Sequence, residues 1–173
     1  MNRFRHSAFI AGLLALSSPA LAQNVPTELG TNGDWKVYSA DGGKTCYAAG
    51  VPRSIDPRTV SRDPIFFIVT DWTAKRIKGE PQVVPGYKYK DGSPVTAQIG
   101  TDKFNFFSQN DAAAGGGAWV RDRADEQRPL DSMQHGKQMV VTGTSSRGTV
   151  TKDTYSLTGF AAALQAAHKA CNM

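Results

Sequence analysis

Apolar residues along this chain come mostly in short runs, and turn-forming residues separate the runs. Runs of four to eight residues rich in β-branched and aromatic side chains are typical of β-strands. Eight or nine such runs at short intervals, with helix mainly at the C-terminus, predict a mainly β fold, an antiparallel β-sandwich rather than a parallel sheet. The predicted strands are WKVYS (35–39), TCYAAG (45–50), IFFIVTDW (65–72), QVVPGYKYK (82–90), VTAQIG (95–100), TDKFNFFS (101–108), AWVRD (118–122), KQMVVTGTS (137–145) and TVTKDTYSL (149–157).

The last stretch of the chain has the spacing of a helix. Phe160, Leu164, Ala167 and Cys171 recur at steps of four, three and four, which places them on one helix face. The alanines between them favour helix intrinsically. We therefore expect a C-terminal α-helix, with Thr158 as its N-cap and with the cysteine pointing into the core.

The sequence also predicts the structure of three further segments. The unbroken apolar start of the strand at 65–72 predicts burial on both of its faces. A short helix is predicted at RPLDSMQHG (128–136), with Leu130 and Met133 buried. The run Gly115–Gly117 lacks the Lys and Ser/Thr of a phosphate-binding loop, so we expect it to be a flexible hairpin tip.

The N-terminus has the three parts of a secretory signal peptide. MNRFRHSAF carries two arginines, IAGLLAL is an apolar run too short to span a bilayer, and Ala20 and Ala22 occupy the −3 and −1 positions of a cleavage site. We predict cleavage between Ala22 and Gln23. This divides the chain into a signal peptide, residues 1–22, and one exported domain, residues 23–173. The alternative is an uncleaved membrane anchor.

Charge and length narrow the class of the protein. The net charge is +5, and it falls to +3 when the two arginines of the signal are removed. Positive and negative residues are interspersed, without runs of five or more Lys or Arg, so nucleic acid is not an expected partner. The exported part has a length that suits a single domain with one core.

The chain has two cysteines, Cys46 and Cys171, and both lie after the predicted cleavage point. Two cysteines in an exported chain are usually oxidised to one disulfide. Two separate buried thiols are the alternative, while the absence of a CxxC motif argues against a redox pair. We predict a bridge that ties the second strand to the C-terminal helix.

Residues that could carry catalysis are few and scattered. His135 stands at a predicted helix end and His168 lies away from the apolar stripe of the last helix, so we expect structural roles for both. Asp122, Asp125 and Glu126 form either a charged surface loop, which we favour, or a general acid/base pair. We therefore predict no catalytic residue, no metal site and no cofactor.

Three basic residues are candidate partner contacts. Arg147 lies at the tip of the last hairpin with Lys152 nearby, a place where a loop on a rigid scaffold could meet an acidic partner, although we favour simple solvation for both. Arg62, followed by Asp63, precedes the predicted strand at 65–72. It either anchors the loop before that strand through a salt bridge or contacts a ligand. The three tryptophans, which either pack in the core or form an aromatic binding surface, are Trp35, Trp72 and Trp119.

Four segments in this order, DWKVY, CYAAGVP, RDPIFFIVT and GTSSRGTVTKDTYSLTGFAAALQAAHKAC, resemble the invasion-associated locus B family of exported Gram-negative envelope proteins. The resemblance implies an immunoglobulin-like β-sandwich, export to the periplasm or outer surface, and no established enzymatic activity. The AAAGGG stretch before the last tryptophan departs from the compact loop expected for that family. The resemblance is most specific at Arg147, Gly148, Asp153, Thr154, Tyr155, Ser156, Leu157, Gly159 and Phe160.

Three functions are compatible with these observations. The first, which we favour, is a non-enzymatic periplasmic binding or adaptor domain whose partner, an envelope protein or other envelope component, contacts loops or an edge strand. The second is a host-cell invasion or adhesion factor at the bacterial surface. The third is an envelope hydrolase that uses carboxylates. After signal cleavage we expect no segment that spans the membrane.

Overall fold

The computed structural model describes residues 25–111 and 115–173, and within them the chain forms eleven strands and two α-helices. The predicted signal peptide, with Ala20, Ala22 and Gln23, lies outside the described residues. In chain order the elements are β1 (Thr27–Asn32), β2 (Trp35–Ala40), β3 (Thr45–Gly50), β4 (Ser54–Asp56), β5 (Phe66–Trp72), β6 (Ile77–Val84), β7 (Val95–Ile99), β8 (Asp102–Asp111), β9 (Gly115–Trp119), α1 (Gln127–His135), β10 (Gln138–Thr144), β11 (Val150–Ser156) and α2 (Phe160–Ala170).

The strands pair antiparallel in the order β1-β2-β3-β5-β6-β9-β8-β7-β10-β11-β4. The long strand β8 belongs to two sheets. In the first sheet its residues 107–111 pair with β9, which continues through β6, β5, β3 and β2 to β1. In the second sheet its residues 102–106 pair with β7, which continues through β10 and β11 to β4. The ring of Phe67 on β5 meets the rings of Phe106 on β8 and Tyr155 on β11, with centroids 6.1 and 6.0 Å apart. The two sheets therefore share one core. The predicted antiparallel β fold with a short helix and a C-terminal helix is confirmed.

Alternation of side chains along each strand decides which residues enter this core. On β5, Phe67, Val69 and Asp71 face inward and are buried, whereas Phe66 and Ile68 face the other side of the sheet and are half-buried. The prediction that this strand is buried on both faces was therefore wrong at its start. An apolar run identifies a strand but not the extent to which its second face is covered.

The glycine run Gly115–Gly117 is strand rather than a flexible tip, and that prediction was wrong. These residues open β9 and pair with the end of β8. A Cβ on Gly116 would overlap the carbonyl oxygen of Tyr87, and a Cβ on Gly117 would overlap the indole of Trp119. The glycines are needed here because neighbouring groups approach the strand too closely for a side chain.

The tryptophans divide between the core and the surface. Trp35 is fully buried, its ring meets that of Phe160 at 4.7 Å between centroids, and its Nε1–H donates to the carbonyl of Ser156 at 3.0 Å. Trp72 and Trp119 are half-buried. Core packing is therefore confirmed only for Trp35.

The helix α2 closes one end of the core through the face that its spacing predicts. Phe160, Leu164, Ala167 and Cys171 are all buried. The N-cap is Gly159 rather than the predicted Thr158, since this residue has the left-handed conformation (φ 85°) that glycine adopts most readily. The short helix α1 also forms as predicted, and its apolar residues are buried.

The predicted disulfide joins Cys171, directly after α2, to Cys46 on β3. Their Cα atoms are 5.8 Å apart, although 125 positions separate them in the sequence. The bridge fixes the helix against the inner face of the first sheet, beside the inward-facing residues of β5. A covalent bond thus holds the C-terminus of the chain to an early strand.

Removal of this bridge should destabilise the fold. In the chain-entropy account a cross-link over a loop this long stabilises by up to about 4–5 kcal/mol, so Cys171→Ser should lower the free energy of unfolding by as much as that figure. Urea unfolding of the exported protein measures the loss. The double variant Cys46→Ser/Cys171→Ser should resemble the single one, and modification of both cysteines by a thiol reagent in the native protein would contradict the bridge.

Candidate functional site

A buried ion pair lies on the inner face of the second sheet. It joins Arg62, in the loop that precedes β5, to Asp153 on β11. Arg62 Nη1 donates to Asp153 Oδ2 at 2.9 Å, and Nη2 donates to Asp153 Oδ1. Each of the two side chains is only 2% exposed. Nη1 also donates to the carbonyl of Pro85 at 3.3 Å, which brings the end of β6 into the same network.

Aromatic rings surround the ion pair. The guanidinium of Arg62 lies over the ring of Tyr87, 5.6 Å from its centroid, and the hydroxyl of Tyr87 is 2.6 Å from that of Thr151. Burial raises the pKa of Tyr87, Tyr89 and Tyr155. Burial alone would lower the pKa of Arg62, but the hydrogen bonds and charge of Asp153 outweigh it, so the pKa of Arg62 is raised. The guanidinium of Arg62 therefore keeps its positive charge in an apolar environment.

A cleft of about 330 Å³ opens above this ion pair, and we call it the Arg147 cleft. Three segments form its walls: residues 60–63, residues 86–88 and residues 145–151. Backbone hydrogen bonds join them, from Asp63 N to Gly86 O at 3.0 Å and from Ser146 N to Lys88 O at 2.7 Å. Because each wall is bonded to its neighbour, the cleft is a fixed feature of the fold rather than a gap between independent loops.

The Arg147 cleft has a surplus of positive charge. Arg62 and Asp153 neutralise each other below it, so the charges that reach solvent are those of Arg147, Lys88 and Asp63. Neither Arg147 nor Lys88 forms an ion pair with another described residue. Several hydroxyl groups complete the lining. Chemically, the cleft suits a negatively charged group that accepts hydrogen bonds.

The structure brings together two of the three predicted partner contacts. Arg147 and Arg62 line the same cleft, but the side chain of Arg62 is buried against Asp153, which favours the anchoring alternative for that residue. Lys152 lies elsewhere, because Thr151 and Asp153 face inward and Lys152 between them faces outward. It lines a broad groove on the outer side of the sheet, near Gln138.

The three acidic residues that could form an acid/base pair lie in a surface turn. Asp122 and Asp125 are exposed, and Asp125 is 3.8 Å from Arg128. Glu126 is half-buried, and its pKa is raised by burial and then by the negative charge of Glu80. None of these residues lines the Arg147 cleft, and the interpretation as a charged surface loop is the one that the structure favours.

Sequence reasoning did not identify the partners of two buried carboxylates. Asp153 pairs with Arg62, and Asp71 pairs with His168. A signal for both was present, since each aspartate occupies an inward position in a strand where its neighbours two residues away are buried. A carboxylate at such a position needs a charged or hydrogen-bonding partner, but alternation alone does not name that partner.

Comparison with known proteins gives one family and one fold. A family model described as "Invasion associated locus B (IalB) protein" matches residues 38–168. The crystal structure of invasion associated protein B from Bartonella henselae is similar, with a TM-score of 0.60 and 16% sequence identity over 83% of this chain and 98% of that one. At this identity the likeness shows the fold alone. No curated protein matches significantly in sequence.

The described part of the chain has neither a membrane-spanning helix nor a cluster of metal ligands. No helix among residues 25–111 and 115–173 is long and apolar enough to cross a membrane. The same residues contain no group of three or more His, Cys, Asp or Glu side chains arranged to hold a metal ion.

The cost of breaking the buried ion pair can be measured directly. Arg62→Met leaves Asp153 buried without its counter-charge, so the free energy of unfolding should fall by about 3–5 kcal/mol. The double variant Arg62→Met/Asp153→Leu removes both charges and should regain much of that loss. Urea unfolding provides the measurement.

The exposed pair between Arg53 and Asp34 serves as the matched control. Its atoms are 2.7 Å apart, but 65% of the Arg53 side chain is exposed, so Arg53→Met should cost far less than Arg62→Met. If the double variant at the buried site is no more stable than Arg62→Met, the unpaired charge of Asp153 is not the cause of the lower free energy of unfolding.

Proposed function

The chain belongs to the invasion associated locus B family, and from that premise we propose that it is an exported, non-enzymatic binding domain of the Gram-negative cell envelope. The N-terminal pattern of a basic start, a short apolar run and a small-residue cleavage site supports export. The disulfide between Cys46 and Cys171 supports an oxidising compartment, since such bonds are rare in the cytosol. The periplasm satisfies both observations.

The surface that we propose for the partner is the Arg147 cleft. The observation that carries this proposal is the presence of two exposed cations, Arg147 and Lys88, on walls that a buried ion pair and backbone hydrogen bonds hold in place. A rigid cationic cleft loses little conformational entropy on binding, and its charge attracts an acidic partner before contact. The partner is accordingly an acidic segment of an envelope protein.

The placement of the remaining polar residues supports binding rather than catalysis. His135 is exposed at the end of α1, where its Nδ1 lies 2.8 Å from the carbonyl of Asp131, and His168 is bonded to Asp71 on the far side of the core. The carboxylates of the surface turn lie outside the cleft. A catalytic site needs an acid, a base or a nucleophile within reach of one bound group. His135, His168 and the carboxylates of the surface turn lie on three different elements, which are α1, α2 and the turn before α1.

A crosslinking experiment in living cells tests this proposal. A photoreactive amino acid replaces exposed Ser146 in the Arg147 cleft of the tagged, exported protein, and a second variant carries it at exposed Gln138, on the outer groove. We expect a specific envelope protein to be captured from the first position and not from the second. Addition of Arg147→Glu should reduce that capture about tenfold or more, since a like charge then faces the acidic partner.

The matched control is Lys152→Glu, which changes the net charge equally but lies on the outer face of β11. An equal loss with both charge reversals would contradict the cleft and indicate non-specific electrostatic attraction. Turnover of an envelope substrate that a single Asp, Glu or His substitution abolishes would contradict the non-enzymatic function. Digestion of the protein by protease added to intact cells would favour the surface invasion factor over a periplasmic domain.

A further inference from the structure

The contact between α2 and β5 contains a buried carboxylate whose two oxygens are both occupied. Asp71 is 1% exposed, its Oδ1 accepts the backbone N–H of Gly79 at 2.7 Å, and its Oδ2 accepts Nδ1–H of His168 at 2.7 Å. The neighbouring disulfide already fixes α2 to the same sheet. A buried carboxylate is expensive compared with an apolar residue of similar size, so a purely structural contact here would not need one.

The hydrogen bond from Nδ1 determines which nitrogen of His168 is left for other contacts. A carboxylate that accepts from Nδ1–H fixes the orientation of the imidazole ring and leaves Nε2 on the opposite side. The ring is 18% exposed, and it lines a cleft of about 610 Å³ between α1 and α2. We call this space the helix cleft. It lies apart from the Arg147 cleft and shares no residue with it.

The polar lining of the helix cleft contains a cation and no carboxylate. It consists of Lys78 on β6, Gln127 and Gln134 on α1, and Gln165 and His168 on α2, and no carboxylate lines the space. The ammonium and the three amide groups are hydrogen-bond donors, and the amides also offer acceptors. The charged groups next to the imidazole are Asp71, behind it on β5, and Lys78, in the cleft. The helix α1 contributes Gln127 and Gln134 to the lining, and Gln127 Nε2 donates to Asp131 Oδ1 at 2.8 Å.

We propose that the helix cleft binds a small oxyanion, a carboxylate or phosphate group, between the Lys78 ammonium and His168 Nε2–H. Both side chains line the same space and both carry a positive charge when the imidazole is protonated, and charge-assisted hydrogen bonds to an anion are the strong ones. Asp71 acts as a positioning residue, because it holds the ring and compensates its charge from the buried side. Neutral imidazole would present a lone pair to the anion, so binding of the anion requires protonation of His168.

Titration followed by nuclear magnetic resonance tests the proposal on the isotope-labelled exported protein. Sodium acetate and sodium phosphate are the probes, with sodium chloride at the same ionic strength as the reference. We expect saturable shifts confined to α1, α2 and the His168 ring, and the probe with the lower Kd identifies the ligand as carboxylate or phosphate.

Three variants separate this site from general charge effects. Lys78→Gln and His168→Gln should each weaken binding about fivefold or more. Lys169→Gln is the matched control, an exposed cation on α2 beside the cleft but not in its lining. Identical shifts with chloride, shifts that never saturate, or an equal effect of Lys169→Gln and Lys78→Gln would overturn the proposal.

Discussion

The interaction on which the second sheet and its cleft depend is the buried ion pair between Arg62 and Asp153. Two charges removed from water require close mutual attraction and hydrogen bonds to most of their donors and lone pairs, and here Nε of Arg62 is buried without a hydrogen-bond partner among the described residues. The planar guanidinium goes far toward this requirement because it donates to both oxygens of one carboxylate and also to the carbonyl of Pro85. One side chain thus joins three segments that are far apart in sequence.

The opposite end of the core is held by different chemistry. There the disulfide between Cys46 and Cys171 and the hydrogen bond between Asp71 and His168 attach α2 to the first sheet. The fold is therefore fixed at two distant places, and each has an exposed cleft beside it. Rigid support and surface cations occur together at both, an arrangement that supports the proposed binding role.

Periodicity in the sequence was enough to predict most of this framework. Short runs rich in β-branched and aromatic residues located β2, β3, β7, β10 and β11, and the four-three-four spacing located α2 and the inward direction of Cys171. The edge strands β1 and β4 were missed because their side chains are largely exposed and carry no alternation. Of the Arg147 cleft, only Arg147 was predicted, as a candidate contact at a hairpin tip. The contacts between Arg62 and Asp153 and between Ser146 and Lys88 join distant segments, so they are set by tertiary packing.

The central claim, that the ion pair holds the walls of the Arg147 cleft, is tested most directly by hydrogen–deuterium exchange of the exported protein and its Arg62→Met variant. Protection of backbone amides reports local opening. We expect the largest increase in exchange in residues 60–63, 86–88 and 145–151 of the variant, with a smaller increase in α2, which the disulfide holds to the first sheet. Unchanged exchange in these three segments, or an equal increase throughout the chain, would contradict the claim.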